Sequence, residues 1–140
     1  MRPYDTDTLE DSLLERMQAF DRTFSEDRGS EMGDFFSLQA RLMWPFMEDI
    51  TGRENIRRAF EQFVQTFTTL SWKPEREIIG ADGNKVIVLG RFLEDRAPRV
   101  GGPAERVFGR WVEVWRRQPG GPWELDLVLT SRYAEDELLG

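Results

Sequence analysis

Gly109-Arg110-Trp111-Val112-Glu113-Val114-Trp115-Arg116-Arg117-Gln118-Pro119-Gly120-Gly121-Pro122-Trp123-Glu124-Leu125-Asp126-Leu127-Val128-Leu129-Thr130 is the stretch on which the fold turns. Two runs of alternating side chains flank a Pro-Gly-Gly-Pro break, which reads as an antiparallel hairpin. With Gly120 and Gly121 central in the turn, Gln118 pairs with Trp123, Trp115 with Asp126 and Glu113 with Val128. Alternation then puts Trp111, Glu113, Trp115, Asp126, Val128 and Thr130 on one face. Val112, Val114, Leu125, Leu127 and Leu129 share the other. Glu113 and Asp126 become diagonal neighbours, about 7–8 Å apart at Cα.

Working back from the hairpin, strand-like periodicity continues to about residue 69, giving four strands over 69–79, 84–94, 105–118 and 122–133. Ala81-Asp82-Gly83-Asn84 is a turn signal, and Asp95 to Glu105, with two Pro and two Gly, reads as a mobile loop. Before residue 69 the period is helical. Leu9, Leu13, Met17, Phe20 and Phe24 form one stripe, with Asp5 and Asp7 at its positive end. A short helix over 31–38 follows, then an apolar edge strand over 40–47 that contains Pro45. Thr51-Gly52-Arg53-Glu54 has the form of a capping box, with Glu48 and Asp49 just ahead of it. Ile56, Ala59, Phe60, Phe63 and Phe67 mark the buried face of the helix it opens. Helices first and a meander after means α+β: N-terminal helices packed on one face of a strongly curved antiparallel sheet.

With 140 residues and 16.4 kDa the chain is one domain, 1–140. It carries 26 acidic and 19 basic residues, a net charge of −7, so nucleic acid and anionic membrane surfaces are poor partners. It has no cysteine and no histidine, which excludes thiol nucleophiles, Ser-His pairs and most zinc sites. No metal and no cofactor is expected. No run approaches the roughly 20 apolar residues of a membrane span, and the N-terminus has no signal-like apolar region, so a cytoplasmic protein is expected. Ten Phe and five Trp suit a core, a ligand pocket or a dimer face. Arg57-Arg58 and Arg116-Arg117 read as basic pairs that are solvated or paired with local acids, Gly101-Gly102-Pro103 as a loop without the helix start of a phosphate cradle, and Glu135-Asp136-Glu137 as a frayed tail.

The element order, with Thr51-Gly52-Arg53-Glu54-Asn55-Ile56 opening the third helix, resembles the NTF2-like superfamily. Gly109 to Arg117, the glycine turn, Trp123 and Thr130-Ser131 look like its DUF4440 and SnoaL-like (ketosteroid isomerase-like) branch. They are also similar to the association domain of calcium/calmodulin-dependent kinase II. The resemblance spans about residues 8–134 and implies a conical sheet wrapped by helices, a deep pocket and usually a dimer. It places Glu113 where ketosteroid isomerases keep a protonated acid, and Arg91 where the association domain has a pocket arginine. It also marks departures. The isomerase base, before the Pro that ends the first strand, corresponds to Trp44. The helix-1 tyrosine falls near Phe20, and two family histidines correspond to Leu127 and Leu129.

The expected site is therefore a polar corner of Arg91, Glu113 and Asp126 in a pocket lined by Phe20, Met43, Trp44, Trp111, Val128 and Thr130. Three functions are compatible with it. The first is binding of a small apolar or aromatic molecule without isomerase activity. The second is a SnoaL- or isomerase-like enzyme transferring a proton next to a carbonyl, with Asp126 as base and Glu113 as acid. The third is a structural interaction module. In each the chain is expected to form a homodimer through the outer face of the sheet.

Overall fold

The computed structural model describes residues 11–133. Helix α1 (Asp11–Ser25) leads into a short helix α2 (Gly29–Met32) and a 3-10 turn (Gly33–Phe35). Strands β1 (Phe36–Met43) and β2 (Ile50–Thr51) precede helix α3 (Arg53–Thr66), and β3 (Phe67–Asp82), β4 (Lys85–Pro98), β5 (Glu105–Arg117) and β6 (Trp123–Arg132) follow it among the described residues. The order in the single six-stranded sheet is β2-β1-β6-β5-β4-β3. The sheet is curved and unclosed, with the helices packed on it, which is the α+β cone expected.

The meander β3 to β6 is antiparallel throughout. The first strand departs from expectation: it is not an edge, since β2 and β6 pair on its two sides, and it ends at Met43, before Pro45. It also starts at Phe36 rather than residue 40, which shortens the second helix, and it runs parallel to β6, with Leu42 opposite Val128. The parallel pairing is possible because all of β2, α3 and β3–β5 intervenes between them, a connection long enough to cross over. The loop after β4 is also shorter than expected, since pairing with β3 carries β4 on to Pro98.

Leu13, Met17 and Phe20 of α1, and Ile56 and Phe60 of α3, are buried as the helical stripes require. Leu9, Asp5, Asp7 and the acidic tail lie outside the described residues. The capping box does not form. Gly52, at φ 94°, is the N-cap and no side chain caps it. Glu54 instead pairs with Arg57 at 3.1 Å. The helix start is held from the side by Arg53, which donates to the Phe36 carbonyl at 2.8 Å and to Glu124 at 2.9 Å. That anchor ties α3 to β1 and β6 at once.

The hairpin of β5 and β6 carries one irregularity that matters for the site. Gly121 N–H donates to the Gln118 carbonyl at 2.8 Å, and Gly120 has φ 74°, so the tight turn spans 118–121 with Pro119 at its second position. Arg117, not Gln118, then pairs with Trp123, and Trp115 lies opposite Leu125. A β-bulge at Asp126 inserts one residue, after which Val114 lies opposite Leu127 and Glu113 opposite Val128.

Candidate functional site

The bulge decides which side chains of β6 face the helices. Leu125, expected on the outer face, is wholly buried in the core. Asp126, expected in the pocket, does not line it. Its Oδ1 accepts from Ser37 Oγ at 2.7 Å and its Oδ2 lies 2.9 Å from Arg116 Nε. Beyond the bulge, Val128 and Thr130 return to the inner face.

Between helices and sheet lies a cavity of about 380 Å³. Its floor is Trp72, Phe92 and Trp111 on β3, β4 and β5, with ring centroids 5.3 to 5.8 Å apart. Two glycines let these rings lie along the sheet. A Cβ on Gly90 would meet Trp111 Cε2 at 2.3 Å, and one on Gly109 would meet Phe92 Cε1 at 2.4 Å. The roof is Phe24, Phe60, Phe63 and Trp44, with Trp44 edge-on to Phe60 at 5.0 Å. Phe20, Trp44, Trp111, Glu113, Val128 and Thr130 all line the cavity.

Arg91 and Met43 do not. Inward positions on β4 are Val86, Val88, Gly90, Phe92, Glu94 and Arg96, so Arg91 is exposed on the outer face, paired with Glu75 and Arg110. On β1 the same alternation turns Ala40 and Leu42 inward and Met43 outward. The cation at Glu113 is Arg76 of β3, which sequence reasoning missed. Its Nε donates to Glu113 Oε1 at 2.9 Å and its Nη2 to Asp21 Oδ1 of α1 at 2.8 Å. Burial opposes the guanidinium charge, but Glu113 and Asp21 outweigh it and hold the Arg76 pKa above its ordinary value. Trp115 Nε1 donates to Glu113 Oε1 at 3.3 Å, and Trp72 Nε1 to Asp21 Oδ1 at 3.1 Å. The period-2 run from Trp72 to Ile78 turns Arg76 inward, and that was the available signal.

A second carboxyl lines the same cavity. Glu94 on β4 is 3% exposed. It lies opposite Val107, six residues along the strand from Val88, the partner of Glu113. The two acids are thus separated by roughly 20 Å of extended strand. Burial pushes the Glu94 carboxyl up to about 7, against the opposing pull of Arg96. Arg96 Nη1 is 3.5 Å from Glu94 Oε1, while Arg96 Nη2 is drawn to Glu105 at 2.7 Å. Arg96 also lies over the Phe67 ring, 4.4 Å from its centroid. Arg132 completes the polar lining at this end. The cavity is therefore an aromatic slot with one satisfied carboxylate and, well away from it, one carboxyl poised between its two protonation states.

A family model described as SnoaL-like domain matches residues 17–124. No curated protein sequence is similar enough to count as a relative. Solved structures agree on the fold. A ketosteroid isomerase-like protein from Erwinia carotovora atroseptica superposes with a TM-score of 0.76 at 13% identity, over 85% of this chain and 92% of that one. ActVI-ORFA from Streptomyces coelicolor gives 0.69 at 11% identity, over 86% and 94%. An NTF2-like superfamily protein from Salmonella enterica serovar Typhimurium gives 0.72 at 17% identity, over 93% and 94%. No helix among the described residues is long and apolar enough to cross a membrane.

Proposed function

We propose that this chain, which belongs to the SnoaL-like domain family, binds a small, mostly apolar aromatic molecule and does not catalyse ketosteroid isomerisation. The observation that carries this reading is the cavity of about 380 Å³ walled by aromatic rings from α1, α3, three strands and the segment after β1. Trp44 and Phe20, at the positions that the resemblance assigns to the isomerase base and tyrosine, contribute rings to that wall and no acid–base group. The acid–base alternative loses its base, since Asp126 is engaged with Ser37 and Arg116 outside the cavity. Glu113 already holds hydrogen bonds from Arg76 and Trp115, which suits a structural and binding role. A cavity of this size favours binding over a purely structural module.

The same reading includes a homodimer through the outer face of the sheet. Leu129 is 44% exposed there, and Leu127 is partly so. Leu125 leaves that set because the bulge buries it.

Calorimetric titration with naphthalene and larger fused-ring compounds tests the binding role. Saturable binding is expected, and a Thr130→Trp variant that fills the cavity is expected to lose it while remaining folded. If no compound of the series binds the wild-type chain up to its solubility limit, the reading is wrong.

A further inference from the structure

Two buried side-chain oxygens lack a hydrogen-bond partner among the described residues, Thr69 Oγ1 and Glu94 Oε2. Glu94 belongs to the cavity wall and Thr69 does not. A buried acid oxygen without a partner costs stability in the empty protein. A ligand group that satisfies it recovers that cost on binding.

We propose that Glu94 forms a polar subsite of its own, which binds the single hydroxyl or carbonyl oxygen of an aromatic ligand through Oε2. This rests on the reading of the cavity as a ligand site and adds to it where the ligand's polar atom goes. The rings on either side hold a flat hydrocarbon body, and no other cavity carboxyl is unengaged, because Glu113 is already bonded to Arg76 and Trp115. Glu94 Oε1 faces Arg96 at 3.5 Å, too long for a strong bond, and Arg96 is drawn off by Glu105.

The protonation state of Glu94 selects the ligand. An ionised carboxylate accepts from a hydroxyl and repels a carbonyl oxygen; a neutral carboxyl donates to a carbonyl. The charged groups acting on it are Arg96 on its own strand, Glu105 on β5, Arg132 on β6 and Asp27 in the turn after α1. Asp27 is itself held by Thr68 at 2.8 Å and by the backbone of Thr69 at 3.0 Å. From α3 the cavity receives only the non-titrating Gln62 and Thr66 at polar positions. With burial holding the Glu94 carboxyl near 7, both states are reached close to neutrality.

The test compares 2-naphthol, 2-acetylnaphthalene and naphthalene by calorimetry at pH 5.5 and pH 8. In the wild-type chain, 2-naphthol should bind about tenfold more tightly at the higher pH and 2-acetylnaphthalene about tenfold more tightly at the lower, with naphthalene unchanged. Glu94→Gln should bind both oxygenated ligands with no pH trend. Glu94→Leu should bind all three alike, and circular dichroism confirms that each variant is folded. Equal, pH-independent binding of the three by the wild type overturns the subsite and leaves the cavity reading intact. So does a pH trend that persists in Glu94→Gln. Failure of all three to bind, naphthalene included, removes the cavity reading and the subsite with it.

Discussion

Arg76 on β3 and Glu113 on β5 meet at 2.9 Å across the intervening strand, and neither side chain is more than 1% exposed. Gly90 on β4 lies opposite both Arg76 and Trp111, and its missing side chain makes room for the Trp111 ring, over which the Arg76 guanidinium lies 5.3 Å from the centroid. Asp21 of α1 closes the network from the helix layer at 2.8 Å, so one guanidinium joins helix to sheet.

Arg76→Leu strands the buried Glu113 carboxylate. Stability should fall by about 3–5 kcal/mol, read from urea unfolding at neutral pH. Arg91→Leu, on the outer face, should change it by less than about 0.5 kcal/mol. Comparable losses in the two variants would contradict the network.

Glu94 gives stability a pH dependence of unusual sign for an acid. Its folded-state pKa, about 7, lies above the ordinary 4.5, so the folded state binds the proton more tightly than the unfolded one. The contribution is full below about 4.5 and is lost as pH rises to about 7. Glu94→Gln should therefore match the wild type near pH 4.5 and exceed it above pH 8, by on the order of 3 kcal/mol at most. The measurement is the difference between the two unfolding curves at each pH; a constant difference would show that Glu94 ionises freely in the fold.

Asp126→Asn should leave ligand affinity unchanged. Its pair with Arg116 is partly exposed, at 51% and 26%, so the stability cost should stay below about 1 kcal/mol. Loss of binding with unaltered unfolding would return Asp126 to the site.

Sedimentation velocity at tens of micromolar should show a dimer for the wild type. Leu129→Glu, which puts a charge on the exposed outer face, should give a monomer. A monomeric wild type removes the dimer reading.

The α+β architecture was legible because apolar spacing changes from helical to alternating near residue 69, and that change is a local property. The site was only half legible. Glu113, Trp111, Val128 and Thr130 face the cavity because the expected register holds on the far side of the bulge. Asp126 and Leu125 exchange roles because the turn closes one residue earlier than its glycines suggest, and a bulge restores the register. No local pattern announces a bulge that exists to reconcile a turn with pairing farther along. Arg91 is a different case. Alternation through Val86, Val88 and Phe92 turns it outward, whereas the resemblance to the association domain implies a pocket position. Alternation on β3 and β4 likewise pointed inward at Arg76 and Glu94, whose charge argued against burial.

Gly90 and Trp111 occupy one shared volume, since a Cβ on the first would come within 2.3 Å of the second. The two positions therefore carry a single unit of sequence information. A library randomised at position 90 alone and selected for folding should return glycine. One randomised at positions 90 and 111 together should also return small or branched residues at 90, always beside a side chain shorter than tryptophan. Each such compensated pair moves the cavity floor, so the breadth of accepted ligands should drift along that one axis of coupled exchange.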